Sequence, residues 1–577
     1  MSLLNIGMSG LSASSSSLAT TGNNIANVDT AGYSRQQTVQ STKSSQQFGN
    51  VFIGTGTTLA DVRRVYNSYL ENQLHTATSL NSEAAAYGAQ ATALDASMSD
   101  TNTGLTGVLQ KFFTSMQGVA TSATDDTSRQ SVLTGAQALT SRFNALAKQL
   151  NDQNTTINGN LGDMTSQVNK LATSIANLNQ KIGEISTSGG QPNDLLDSRN
   201  EAVRQLSELT GAQVVERGTS FDVYIGTGQP LVIGNTTNTL STVPSKDDPT
   251  RMAIQLDRGS SVIDITSAMS GGEIGGLLTY RKEVLDPSLN ELGRVALVVA
   301  DQVNSQQAQG IDKNGDFGAA IFNNINSAAL VSQRSIAQST NSAGSGNLDV
   351  TIKDTGKLTT SDYQVTFTSA TNYSVKRSDG TDMGSFSTTT TPPPVIDGFT
   401  LALNGGALSA GDTFKVTPTR NAASTIQTVL TDPKKIAAAA PLTGVASANN
   451  SGTYTQPTLT DSFNIYNPAS QTELQNALKY STPVKLVFGA VASGSQSYNM
   501  VDAKGNTIGS GTIVPVPGQA KHLEPQGRHG RLHRCSGDGH HGHAERAEDL
   551  HRTDHRGRDA EVRRNLHHQP DRRGVFG

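Results

Sequence analysis

Few residues in this 577-residue sequence have the types and spacing that chemistry requires. The stretch Asp312-Lys-Asn-Gly-Asp-Phe-Gly begins like a calcium loop, in which oxygens at alternate positions ligate a hard cation. Its sixth position is Phe317 where a glycine belongs, and its twelfth is Asn323 where a bidentate glutamate belongs, so a polar turn is expected. Asp354-Thr-Gly-Lys-Leu lacks the preceding glycine of a phosphate loop. Asp194, Asp197 and Glu201 form a carboxylate cluster of the kind a hydrolase would use, but on helical text they read as a cap and a solvated face. His75 stands alone on a predicted helix, reads as solvated, and is the only histidine before residue 520, so no Ser-His-Asp set can be assembled. Among the tail histidines, His540, His541 and His543 could hold a metal only adventitiously, because few apolar residues surround them to build a closed shell. No catalytic residue, cofactor or metal is expected.

The elements that would carry such residues are long helices. Leu161, Met164, Val168, Leu171, Ile175, Leu178, Ile182 and Ile185 alternate in steps of three and four, which predicts a helix roughly 38 Å long at about 1.5 Å per residue. Leu109, Phe112, Phe113 and Met116, then Leu139, Phe143, Leu146 and Leu150, repeat at the same spacing. A heptad seam runs from Tyr66 through Leu80, Tyr87 and Leu94, with Leu70, Ala77, Ala84, Ala91 and Met98 beside it. Pro192 and Gly211 bracket another helix, with Asn193 or Asp194 placed to cap it, and Leu289, Leu292, Val295 and Val299 mark one more between Leu285 and Gln307.

Alternating runs such as Phe221-Val223-Ile225 predict hairpins after residue 211. Between residues 342 and 418 the text is strand-like, with Tyr363, Val365 and Phe367 alternating and Asp379-Gly380 supplying a turn; the run Thr388–Val395 breaks the pattern and reads as an exposed loop. The expected fold class is multidomain α+β: a long-helix, coiled-coil-like bundle with a β-rich insertion and a disordered C-terminal tail. The expected divisions are 1–65, a helix and linker; 66–341, the bundle with a small hairpin part; 342–420, all β; 421–519, a mixed return segment; and 520–577, the tail.

Composition narrows the function. Hydrophobic residues make up 35% and charged residues 16%, with no tryptophan, which argues against a dense enzyme-like core along the whole chain. No apolar run is long enough to span a membrane, and a net charge of −4 offers nothing to nucleic acid. The N-terminus lacks the basic and apolar regions of a Sec signal, and the single cysteine, Cys535, excludes a disulfide framework. Ten of the eleven histidines and eleven arginines lie between residues 522 and 573. This tail reads as a shifted translation frame, because GC-rich codons of Ser/Thr/Ala text, read one base out, give His, Arg, Gly and Asp.

The first segment carries Leu4, Leu11, Leu18 and Ile25 at seven-residue spacing, an assembly seam that buries only against a partner helix. The residues around the end of this seam are specific: Asn23, Asn24 and Asn27, then Gly32, Tyr33, Ser34, Arg35 and Gln36, within SGLSASSSSLATTGNNIANVDTAGYSRQ. This stretch resembles the axial-protein family of the bacterial flagellum, and its GYSRQ ending is similar to the version in the hook–filament junction members. PNDLLDSRNEAVRQLSEL, GIDKNGDFG and TPTRNAASTIQTVLTDPKKIAAAAP extend the resemblance over residues 1 to 518. It implies a structural subunit, not an enzyme, exported by the flagellar type III apparatus with the help of a chaperone and located outside the cell. It also implies a ring of copies at the hook tip, contacts with the hook protein and the second junction protein, pairing of N- and C-terminal helices, and a solvent-facing β domain. Other readings are a hook or rod protein and a secreted Ser/Thr-rich adhesin. The family's C-terminal helix has no counterpart in the tail, so the seam is expected to lack its intramolecular partner and junction assembly to fail.

Overall fold

The computed structural model describes residues 3–98, 104–448, 456, 464–481 and 483–514; the His/Arg-rich tail, with the disorder expected of it, lies outside the described residues. The chain opens with helix α1 (Leu3–Ala26), followed by strands β1 (Gln36–Thr42), β2 (Gln46–Phe48), β3 (Val51–Ile53) and β4 (Thr57–Arg64). β1 and β4 pair antiparallel, with the β2–β3 hairpin at their far end. Helices α2 (Ser68–Met98) and α3 (Leu105–Thr121) lead into α4 (Asp126–Thr187).

α4 is the spine. It runs unbroken for 62 residues, about 93 Å at 1.5 Å per residue, so the Leu139–Leu150 and Leu161–Ile185 runs are turns of one helix, while Leu109–Met116 lies on α3. No proline interrupts it, and Asp125 caps its start by accepting the Thr127 and Ser128 amides at 3.3 and 2.8 Å. One continuous stripe is buried, from Val132 and Phe143 through Ile157 and Leu161 to Val168, Ile175 and Ile182. The companion positions Met164 and Leu171 only flank this stripe; its other edge is Thr165, Ala172, Ala176 and Asn179. The reason is the partner. Along its first half α4 packs on α3, and along its second on α5 (Asn193–Leu209) and on two antiparallel sheets. Those sheets are β5 (Ala212–Arg217), β6 (Ser220–Ile225), β7 (Gln229–Ile233) and β8 (Thr236–Thr237), then β9 (Thr239–Pro244), β10 (Met252–Asp257) and β11 (Val262–Asp264). Small side chains let the sheets approach the helix. Asn179 takes part in the packing by accepting the Phe221 amide at 2.9 Å and donating to the Phe221 carbonyl at 2.8 Å.

Helix α6 (Gly272–Tyr280) continues through a π turn, Arg281–Leu285, into α7 (Asp286–Gln307), so the helix expected from Leu285 has a forward extension that packs on α2. Gly276 permits this, since a Cβ there would meet the Glu83 carbonyl oxygen at 2.3 Å. After α8 (Ala328–Ser332) comes a β unit: β12 (Ser335–Ala337), β13 (Asn347–Ile352), β14 (Tyr363–Phe367), β15 (Asn372–Arg377), β16 (Asp382–Ser387), β17 (Phe399–Asn404) and β18 (Thr413–Val416). Five strands in the order β12-β18-β14-β15-β16 face the β13–β17 pair, and the alternating residues Val350, Val365, Phe367, Phe399 and Phe414 fill the space between. Tyr363 meets Phe399 edge-on at 5.0 Å, and Phe367 meets Phe414 at 5.9 Å.

The chain then returns through α9 (Ala422–Thr425), lays Ile436 beside the start of α4, where Arg129 holds its carbonyl, and forms α10 (Pro468–Ser481). Strands β19 (Lys485–Ala492), β20 (Ser495–Val501) and β21 (Thr507–Ile513) make a three-stranded antiparallel sheet. The Asp312 turn is a turn: its carboxylate accepts the Asn314 and Asp316 amides at 2.7 and 3.0 Å. Among the described residues no cluster of His, Cys, Asp and Glu is arranged to hold a metal, and no helix is long and apolar enough to cross a membrane.

Candidate assembly interface

α1 is amphipathic the wrong way round. Its covered face, at three- and four-residue spacing, is Ile6, Ser9, Gly10, Ala13, Ser16, Ser17, Thr20 and Asn24. These small residues sit on the β1–β4 ribbon: Ser9 Oγ accepts the Thr57 amide at 3.2 Å, and Ser17 Oγ lies 2.9 Å from Thr38 Oγ1. Gly56 makes that approach close, because a Cβ there would fall 2.2 Å from Ser9 Oγ. The opposite face carries Leu4, Leu11, Leu18 and Ile25, which are 71, 72, 73 and 70% exposed, with Leu3 and Met8 also open. An isolated globular helix turns its leucines inward. Here they form a continuous apolar edge on a helix with no charged residue anywhere between Leu3 and Ala26.

The first half of α2 repeats the inversion. His75 and Ser79 are buried, while Leu70, Leu74 and Leu80 face out; only from Tyr87 onward does the seam read from the sequence turn inward, with Tyr87 edge-on to Tyr280 at 6.1 Å and Leu94 buried. His75 is therefore a buried histidine rather than a solvated one. Burial, and behind it the Arg204 guanidinium, holds its imidazolium pKa below the usual histidine value; Glu71 lies 3.8 Å away and the Asn200 backbone faces the ring. The unfolded chain takes up this proton near pH 6.5 and the folded chain only at lower pH. Stability is thus full above about 6.5 and falls as pH drops toward the folded-state value, by at most about 1.4 kcal/mol per pH unit. Urea denaturation between pH 5 and 7 should show this slope reduced in His75→Gln; an unchanged slope would place the titration elsewhere.

The asparagine and GYSRQ residues form a joint. Asn24 lies at its centre: its Nδ2 donates to the Gln36 carbonyl at 2.8 Å, and its Oδ1 accepts the Gln36 amide and the Tyr33 hydroxyl, both at 2.8 Å. Asn23 Nδ2 reaches the Tyr33 hydroxyl at 3.4 Å, and Asn27 Nδ2 bonds back to Asn23 Oδ1 at 2.9 Å, closing the last turn of α1. Arg35 contributes its backbone carbonyl, which accepts the Val65 amide at 2.8 Å, and its side chain is exposed. Gly32 sits at φ +79°, and a Cβ there would come 2.7 Å from the Glu201 Cβ, so both backbone conformation and clearance demand glycine.

Glu201 lies on α5, and so does the socket that receives the joint. Asp197 Oδ2 accepts the Ser34 amide at 3.0 Å and Oδ1 pairs with Arg64 at 2.7 Å; both side chains are buried, 8 and 9% exposed. Asp194 accepts from Gln36 Nε2 at 3.3 Å. Asn193, expected as a cap, instead donates to the Val62 carbonyl at 2.7 Å, and Pro192 begins the helix. Glu201 is held below the usual carboxylate range by a bidentate bond from Arg204. The three carboxylates read as a cap and solvated face are thus the seat of the N-terminal module. Arg199 fixes α5 in turn: its guanidinium stacks 3.5 Å from the Phe221 ring and donates to Asn179 Oδ1 at 2.9 Å. Sequence reasoning missed Asp197 and Arg64 as a pair because 133 residues separate them; the only signal was the one-face spacing of 194, 197 and 201.

Comparison with known proteins gives a consistent picture. The family model described as the flagellar hook-associated protein FlgK helical domain matches residues 91–322, the flagellar hook-associated protein 1 D2-like domain matches 336–418, and the flagella basal body rod protein matches 4–33. The chain is 34% identical over 445 residues to flagellar hook-associated protein 1 of Salmonella typhimurium, covering 76% of this chain and 79% of that one. It is 31% identical over 461 residues to the Escherichia coli K12 protein of the same name, covering 78% and 82%. The solved structure of the flagellar hook junction protein FlgK from Burkholderia pseudomallei superposes with a TM-score of 0.64 at 28% identity, covering 78% of this chain and 83% of that chain.

Proposed function

Because the chain belongs to the flagellar hook-associated protein 1 family, we propose that it is a structural subunit of the bacterial flagellum, placed between hook and filament. The observation that carries this reading is the inverted α1, whose leucines face outward while its serines grip the ribbon. Such a helix gains its burial from other subunits, and copies stacked in a ring would cover the seam at about 25 cal/mol per Å² of apolar area. The hook protein on one side and the second junction protein on the other are the neighbours this reading supplies, and the uncharged seam excludes neither. An export chaperone would shield the same leucines before assembly, and a body without cysteine can leave the cell unfolded through the flagellar type III route and refold outside with no disulfide to make. We read the role as structural rather than enzymatic, since the Asp194, Asp197 and Glu201 cluster is engaged by Gln36, Arg64, Ser34 and Arg204.

The test is direct. Hooks isolated from cells lacking their own junction protein are mixed with the purified chain and imaged by negative-stain electron microscopy. A cap at the distal hook end, competent to accept the second junction protein, is expected when the tail is restored to the reading frame of the body, and bare ends when the chain carries the His/Arg tail. Bare hook ends together with binding to host glycans would replace the junction reading with an adhesin.

A further inference from the structure

One cluster of buried charge lies where the β unit meets α7 and the hairpin sheets. Arg420, just past β18, is 8% exposed. Its guanidinium lies 3.0 Å from Asp248, bonds Asp362, approaches Asp286 at 3.8 Å and donates through Nε to Asn290 Oδ1 at 3.3 Å. Lys415 stands 3.3 Å from Asp362 and 3.6 Å from Asp248, and Arg251 bonds Asp286. Asn290 closes the set by donating to Asp362 Oδ1 at 2.9 Å and to the Thr360 carbonyl at 2.8 Å.

These groups come from three parts of the chain. Asp248 and Arg251 belong to the β9–β10 connection, Asp286 and Asn290 to α7, and Asp362, Lys415 and Arg420 to the β unit and its exit. Burying three carboxylates with three cations is a poor source of net stability, because desolvation offsets most of the attraction. What it confers is geometry. An apolar contact survives a small slide or rotation, whereas a desolvated, multiply bonded guanidinium does not. The backbone beside it leaves as little play: a Cβ on Gly293 of α7 would fall 1.8 Å from the Thr419 carbonyl oxygen. On the entry side, Gln338 bonds Asp247 and the Ser339 amide donates to the Lys246 carbonyl at 3.3 Å.

We infer that Arg420 is the positioning residue that fixes the orientation of the β unit on the helical body. It joins the hairpin sheets, α7 and the β unit through one side chain. This goes beyond the junction role and can be measured on the soluble chain, so either can fail without the other.

The experiment uses the full chain with Cys535→Ser and nitroxide labels at Thr173→Cys on α4 and Thr381→Cys in the β unit, both exposed positions. Pulsed electron resonance should give one narrow distance in this background. Arg420→Met should broaden it into a spread or a second population with the far-ultraviolet dichroism retained, and Arg420→Lys should fall between. Asp362→Asn, which keeps an acceptor for Asn290 but removes charge, is the second variant should Arg420→Met fail to fold, and should broaden the distance likewise. A single narrow distance in every folded variant would overturn the inference.

Discussion

In the chain with its tail restored to the reading frame of the body, the double substitution Leu11→Asp and Leu18→Asp is expected to abolish incorporation into the hook–filament junction while leaving the unassembled subunit as stable as before. Both side chains stand more than 70% in solvent, so the monomer should change by no more than about 0.5 kcal/mol. In an assembled seam each leucine would contribute roughly 1.5–3 kcal/mol by burial, and each aspartate would have to be desolvated without a partner. Losing even 4 kcal/mol per contact lowers each association constant by about three orders of magnitude, and a ring multiplies that loss around its circumference. Thermal melting of the purified chain, hook-capping by microscopy and swarming on soft agar would be read together. Normal capping by a variant that melts like the parent would remove α1 from the interface.

The second large effect is expected at Asp197. Its replacement by alanine strands the Arg64 guanidinium and the Ser34 amide in a site that is nearly dry. Breaking a buried pair in this way costs about 3–5 kcal/mol. Most of that cost falls on the joint, because β4 and the GYSRQ segment meet α5 there while the α4 core is untouched. Hydrogen exchange should therefore quicken at Ser34, which bonds Asp197 directly, by about two orders of magnitude or more, with amides in the middle of α4 unchanged. Asp197→Asn keeps an acceptor for the Ser34 amide and should lose less. Undiminished protection at Ser34 in the alanine variant would show that the joint holds without this carboxylate.

Much of this architecture was legible because periodicity reports burial directly. The three-and-four alternation from Leu161 to Ile185 lies on one helix, and the alternating Tyr363, Val365 and Phe367 lie on one strand. Periodicity does not say what an apolar stripe meets. The same pattern is turned inward in α4, where sheets cover it, and outward in α1 and the start of α2, where no described residue covers it. The motif residues were readable as a group, but their purpose was not, since Gly32 and Ser34 act on α5 more than 160 residues away. His75 misled for a related reason: a lone polar residue on a helix looks solvated until the helix packed against it is known.

The β unit leaves the body and returns to it through adjacent strands, with Ser335 paired to Val416 and Ala337 to Phe414. An excursion whose two ends are hydrogen-bonded neighbours presents the rest of the chain with the same closed doorway whatever lies beyond it. Between those strands, and away from Thr355, Thr360 and Asp362, which touch α7 or Arg420, sequence can lengthen, shorten or be exchanged over generations without moving α7, the α5 socket or the seam. Surface variation can therefore accumulate there, while the α1 face, the joint and its socket stay as they are.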